Sequence, residues 1–420
     1  MNGRNLHLMS GFLVCCLIAF TGSLCIAQPL ALEQSRQGLE AMKEGDAESA
    51  ADFFRQGLEV DRGNPVLQGN LVAALLMTGE SFLQQGRFDE AAEVLDELDD
   101  LGMDEPRVLW LQGRVMFQQR DFESAEVALQ ELVALQPDNA GAWEGLAAVF
   151  DGLGRYDEAI ASLQKALELQ PDNTKLQQRI NQARREASLA LRMESELSAS
   201  FEVHYEGEAN EDLGSAVLDH LEAAYAELGS EYNLYPTFKI PVILYGNRDF
   251  SAVTSAPEWV AGLYDGKIRI PLGGLQRVEA PLKRLLYHEF SHVLIRQLSR
   301  GMVPHWLSEG LAMYAERRFH APPLAVLAEA SKSGSLLAIQ DLETAFRGGD
   351  PRRVRLAYEQ GYAMTRFLIE NFGWYQIPEV LRQLGEGKGI QQVLSDVYAG
   401  AELTPDRLLR DALRSNMIFD

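Results

Sequence analysis

Residues 287–292 read Y-H-E-F-S-H, and residues 306–312 read W-L-S-E-G-L-A. On a helix, His288 and His292 stand four residues apart and therefore on one face, one turn apart. Both imidazoles can then reach a single Zn²⁺, and Glu289 projects beside them toward a water that such a metal would hold. A carboxylate next to the ligand pair is useful there, because the metal brings the water's pKa toward neutrality and the reaction still needs a base. The surroundings suit a buried helix. Pro281 can open it, and Leu282, Leu285, Leu286, Phe290, Val293 and Leu294 give it an apolar body.

A catalytic zinc takes three protein ligands and leaves one position open. Glu309 is the candidate for the third, seventeen residues after His292 on a second predicted helix that begins near Pro304 and runs to about Arg318. H-E-x-x-H followed by W-L-x-E-G-x-A resembles the gluzincin zinc metallopeptidases, and closely the peptidase MA-like domains found beside tetratricopeptide repeats. The resemblance implies an α+β metallopeptidase domain in which His288, His292 and Glu309 hold zinc and Glu289 is the catalytic base. A further stretch, Y-E-Q-G at 358–361, is similar to the Y-x-K-G element of gluzincin aminopeptidases, whose Tyr stabilises the tetrahedral oxyanion. That role falls by resemblance on Tyr358, at the opening of a predicted helix running to about Asn371, with Tyr362 one turn on as the fallback. A phenol donates a hydrogen bond without a charge to desolvate, although a Tyr on an apolar helix face is equally a core residue.

The chain departs from the pattern at three places. Gln360 stands where the aminopeptidases have Lys. No G-x-M-E-N stretch occurs, so exopeptidase action is not supported and the expected activity is endopeptidase. Met313 occupies the position where thermolysin-type enzymes carry an Asp four residues after the ligand Glu. His305, one turn before Glu309, is an alternative ligand or a helix-start residue.

From Ala31 onward a 34-residue period recurs in units 31–64, 72–105, 106–139 and 140–173, with a seven-residue insertion at 65–71. The last unit carries Trp143, Leu146, Ala147, Gly154, Tyr156, Ala159, Leu163 and Pro171, and its contents resemble tetratricopeptide repeats. Small residues let paired helices approach, large apolar ones fill between neighbours, and R-F-D-E-A or R-Y-D-E-A turns start the second helices. Seven residues are about two helical turns, so the insertion can lengthen a helix without changing its face. Residues 174–197 read as a capping helix. The predicted layout is thus a tetratricopeptide-like solenoid over 28–197 followed by a zinc domain over 198–420. Arrays of this kind present a concave surface to a protein or peptide.

In the second domain F-E-V-H-Y-E (201–206), K-I-P-V-I-L-Y (239–245) and G-K-I-R-I-P (266–271) read as strands, and 213–229 as a helix. The resemblance places an edge strand just before the H-E-x-x-H helix, where it pairs with substrate backbone, and G-K-I-R-I-P takes that position. His204 and His220 read as polar-face residues. Residues 319–351 read as loops or a lid, and 374–416 as two or three helices.

The first 27 residues predict a secretory signal peptide cleaved after Ala27: Arg4 supplies the charge, 12–20 an apolar run, and Cys25-Ile26-Ala27 the cleavage site. The expected location is periplasmic or secreted, and no later segment is expected to span a membrane. All three cysteines (Cys15, Cys16, Cys25) fall in that segment, so the remainder has no thiol for a disulfide or a metal. The net charge of −23 argues against the broad basic face that nucleic-acid phosphates need, and no nucleic-acid partner is expected. The function expected is a zinc-dependent metallopeptidase whose repeats recruit a protein substrate or partner. A non-catalytic binding or assembly factor with a vestigial peptidase domain is the alternative, and a zinc hydrolase acting on a non-peptide bond is a third class.

Overall fold

A computed structural model describes residues 29–102, 105–207, 211–254, 262–272, 280–346 and 350–415. The expected signal peptide with its three cysteines lies outside these residues, as do the 255–261 and 273–279 parts of the approach to the metal motif.

The repeats fold as helix pairs: α1 (29–44) with α2 (Ala47–Val60), α3 (Pro65–Gln84) with α4 (Phe88–Asp100), and α5 (Pro106–Gln118) with α6 (Phe122–Leu135); α7 (Ala140–Gly152) and α8 (Tyr156–Leu169) follow in the chain. Gly38, Gly79 and Gly113 hold equivalent places in three first helices once the insertion is allowed for. A Cβ at each would strike Phe54, Leu111 or Leu129 within 2.7 Å, so the missing side chain is what lets the neighbouring helix close. α3 has 20 residues where α5 has 13, a difference of seven, so the insertion does lengthen a helix in place. Against expectation, α3 is by length and composition long and apolar enough to cross a membrane; half of it is buried within the protein, as in the core helix of a repeat.

The chain divides into two compact units, one ending at Val149 and one beginning at Phe150. α9 (Thr174–Ala190) ends before Met193–Leu197, which is strand β1 and not part of a capping helix. From α9, Glu186 accepts from Arg269 Nη2 at 3.1 Å and lies 3.5 Å from Lys267 Nζ; Asp151 pairs with Lys267 at 3.2 Å. Arg269 lies in strand β5 (Ile268–Pro271) and Lys267 directly before it, and both are buried. Burial alone would lower the pKa of Lys267, but Asp151, Tyr156 and Glu186 outweigh it and hold the ammonium above its ordinary range. Asp151 at the end of α7 and Glu186 of α9 therefore supply counter-charges to the sheet.

The sheet runs β1-β2-β3-β5-β4, with β2 Phe201–Glu206, β3 Ile240–Tyr245, β4 Leu263–Tyr264 and β5 Ile268–Pro271. β2, β3 and β5 are parallel; β1 and β4 join antiparallel at the two sides. The G-K-I-R-I-P strand is consequently internal, and among the described residues β4 takes the edge expected of it. Gly266, at φ +110°, makes the reversal between them. α10 (Glu211–Tyr232) and α11 (Asn247–Thr254) connect the parallel strands, as crossovers require. The helical remainder is α12 (Ala280–Ser299), α13 (His305–Arg317), α14 (Ala325–Ser333), α15 (Ile339–Ala345), α16 (Pro351–Phe372), α17 (Ile377–Gly385), α18 (Ile390–Val397) and α19 (Pro405–Arg414). The 319–351 region thus holds two short helices, and α16 starts seven residues before Tyr358, which lies two turns inside it.

Glu186 is the residue on which the buried cations most depend. Glu186→Ala should lower stability by about 3–5 kcal/mol, the usual cost of stranding a buried charge, read as a fall in the urea midpoint; a loss under 1 kcal/mol would remove the ion pairs from the account of the fold.

Candidate metal centre

α12 is anchored through the face opposite its histidines. Phe290 packs on Phe201 of β2 (ring centroids 5.5 Å) and on Tyr225 of α10 (5.9 Å), while Leu286, Val293 and Leu294 are fully enclosed. The turn out of α12 uses two consecutive left-handed residues, Arg300 (φ 51°) and Gly301 (φ 78°), and Pro304 caps the start of α13. α13 returns antiparallel to α12: Ser308 near its start meets His292, and Glu316 two turns later meets His288.

Three donor atoms converge between the two helices. His288 Nε2 and His292 Nε2 are 3.2 Å apart, and Glu309 Oε2 lies 3.5 and 3.6 Å from them. Tetrahedral ligands at zinc bond lengths of about 2.1 Å stand about 3.4 Å from one another, so the triangle fits. It is a His-His-Glu group of metal-ligating type. The outward nitrogens are also held: His288 Nδ1 is 3.1 Å from Glu316 Oε2, and His292 Nδ1 is 3.1 Å from Ser308 Oγ. With Nδ1–H donated outward, each Nε2 presents its lone pair to the shared point.

Electrostatics point the same way. Glu289, Glu309 and Glu316 surround two imidazoles in a desolvated place. Burial opposes protonation of His288, yet its contacts with Glu309 and Glu316 raise its pKa well above the ordinary value. Burial also raises Glu289, despite the two histidines, and Glu289 Oε2 is enclosed with no hydrogen-bond partner. Glu309, against its own burial, is held low by His292 and His288. A cluster that draws protons onto imidazole and leaves a carboxylate oxygen orphaned suits a cation and a water in its midst.

Two glycines set the depth of Glu309. Gly310 follows it on α13, and a Cβ there would lie 2.5 Å from the Gly361 carbonyl oxygen; a Cβ at Gly361 would lie 2.6 Å from that of Trp306. The Gly of W-L-S-E-G and the Gly of Y-E-Q-G are the two sides of one helix crossing, α13 against α16. A third close approach is at Gly262, just before β4, where a Cβ would meet the Glu289 carboxyl carbon at 2.8 Å. The edge strand is thereby brought onto the carboxylate.

The rest of Y-E-Q-G divides by surroundings. Tyr358 is raised in pKa first by burial and then by the charges of Glu309, Glu289 and Glu316, which lie near enough to act on it. Glu359 accepts from Leu327 N in the first turn of α14, and Gln360, where the aminopeptidases have Lys, makes two bonds to the Leu337 backbone. Tyr362 turns elsewhere, beneath Arg317. His305 is not in the donor group. Its backbone N–H donates to Glu343, and its ring packs on Phe346, which in turn meets Tyr358 at 5.1 Å. His204 lies near Glu202 at 3.5 Å, apart from the centre. Glu316, Ser308 and Gly262 were not singled out from sequence. Glu316 had a signal: seven residues after Glu309, it shares that residue's helix face.

Residues 236–405 match the Peptidase MA superfamily, and residues 41–115 and 111–174 match tetratricopeptide repeats. A search of the curated proteins found no match. Among solved structures, the "Crystal structure of MamA protein" is 24% identical over 38% of this chain and 84% of that one, with a TM-score of 0.33. "MamA 41-end from Desulfovibrio magneticus RS-1" is 19% identical over 39% and 89%, with a TM-score of 0.32.

Because Gly361 meets main chain, a methyl there forces the helices apart. Gly361→Ala should cost about 2 kcal/mol or more in urea unfolding and weaken zinc retention against a chelator, since Glu309 withdraws with α13. Unchanged zinc affinity would mean that the crossing does not set the ligand.

Proposed function

From a Peptidase MA superfamily domain joined to tetratricopeptide repeats, we propose that the protein is a zinc-dependent endopeptidase that acts after export, with the repeats recruiting a protein substrate or partner. The carrying observation is the convergence of His288, His292 and Glu309 beside the enclosed, unpartnered oxygen of Glu289.

Zinc, when bound, supplies Lewis acidity and makes an adjacent water a nucleophile near neutral pH. His288, His292 and Glu309 would hold it, with Glu316 and Ser308 fixing the imidazole planes. Glu289, raised in pKa by burial, takes the proton of the attacking water and later returns it to the leaving amine. Tyr358 lies near the same carboxylates and remains protonated, so its hydroxyl donates to the oxyanion as it forms. β4 is the outermost of the described strands on its side, and Gly262 beside it touches Glu289. An extended peptide pairing along that edge would bring its carbonyl to the base. This geometry favours catalysis over a vestigial site, since ligands, base and their supports are all in place.

The purified protein should retain about one zinc per chain after reconstitution and lose it in Glu309→Ala; a parent chain that binds none would sink the hydrolase reading. Glu289→Gln should keep its zinc and lose cleavage across a protein-substrate panel. Tyr358→Phe should lower kcat by about 10²–10³ with KM and zinc content little changed. An unaffected kcat would return Tyr358 to a packing role.

A further inference from the structure

A second cavity, of about 650 Å³, opens on the face of α13 that carries Tyr314, Arg317 and Arg318, and is closed by the loop at Pro322 and Pro323 and by Tyr362 and Arg366 of α16. None of the metal-centre residues lines it. The volume falls in the range of small-ligand sites, about 300–1,000 Å³.

Its charges are unequally satisfied. Arg318 is paired with Glu231 at 2.9 Å and Arg366 with Glu370 at 2.6 Å. Arg317 has no carboxylate partner among the described residues. Its guanidinium lies over the Tyr362 ring, 4.5 Å from the centroid, and Nη2 donates to the Pro322 carbonyl, while Nε is enclosed without an acceptor. The ring beneath it and one anchoring bond hold the group in place and leave donors over. A fixed, planar, unneutralised guanidinium is the arrangement that recognises a carboxylate or phosphate. The remaining walls are apolar or aromatic: Tyr314, Pro322, Pro323 and the Tyr362 ring.

We propose that this cavity is a binding site for a small organic anion, a carboxylate or phosphate group on a short apolar body, with Arg317 as the headgroup receptor. The site is independent of the proposed hydrolysis, and its test does not need activity. Benzoate and phenyl phosphate are suitable probes of the two headgroups, and inorganic phosphate is the control without an apolar body. Calorimetric titration of the purified protein should show saturable binding of at least one aryl anion, the tighter of the two identifying the headgroup. Arg317→Gln should weaken that binding at least about tenfold with zinc content unchanged. Ala325→Glu places a carboxylate at an exposed position on the rim and should weaken binding in the same direction even if the arginine variant folds poorly. Absence of binding by both aryl anions, equal affinity in both variants, or inorganic phosphate binding as tightly as the aryl anions would overturn the proposal.

Discussion

The centre depends on one distance constraint. A carboxylate on α13 has to come within ligand spacing of two imidazoles on α12, and neither helix can adjust much, because both are held by large buried side chains. Gly310 and Gly361 meet this constraint by letting α13 sink against α16 until main chain touches main chain. Glu309, one residue before Gly310, is delivered at that depth. The same contact orders the approach of α16, so that Tyr358, three residues before Gly361, lies near the carboxylates. Ligand position and oxyanion-donor position are thus coupled through a pair of absent side chains.

Buried charge is the second organising expense of this unit, and it occurs in two places with different solutions. At the sheet, Lys267 and Arg269 are neutralised from outside by Asp151, Glu186 and Asp265, a closed set in which each cation has a near anion. At the metal centre the carboxylates outnumber the available cations, and the imbalance draws protons onto imidazole and onto Glu289. A protein that needed this cluster for stability alone would gain by balancing it, as it does at the sheet. The unbalanced cluster therefore reads as a place prepared for a positive ion.

Much of this was legible in the sequence, for reasons of period and local spacing. The 34-residue frame survived a seven-residue insertion because seven residues are two turns, and α3 simply grew. H-E-x-x-H was legible because ligand pairs at i and i+4 are a property of one helix. What escaped was long-range. The order of the sheet is not written in any strand, and G-K-I-R-I-P proved internal because Leu263 and Tyr264, a two-residue strand with no pattern of its own, fold back onto it around Gly266. The buried ion pairs escaped likewise: Glu186 looks like any acid on a polar helix until Arg269, 83 residues later, lies against it.

Glu316 shows where local reasoning could have gone further. The position one turn after Glu309 is Met313, which offers no carboxylate, yet antiparallel helices offer a second chance two turns along. On α13, residues 309 and 316 share a face, and their separation of roughly 10 Å along the helix axis exceeds the one-turn separation of His288 and His292. Glu309 can therefore lie over the ring nitrogens that face each other, while Glu316 passes beyond His288 to its far nitrogen. A carboxylate one turn from the ligand reaches back less far. Which turn carries the support is set by how steeply the two helices cross, and here the glycine contact with α16 sets how α13 lies.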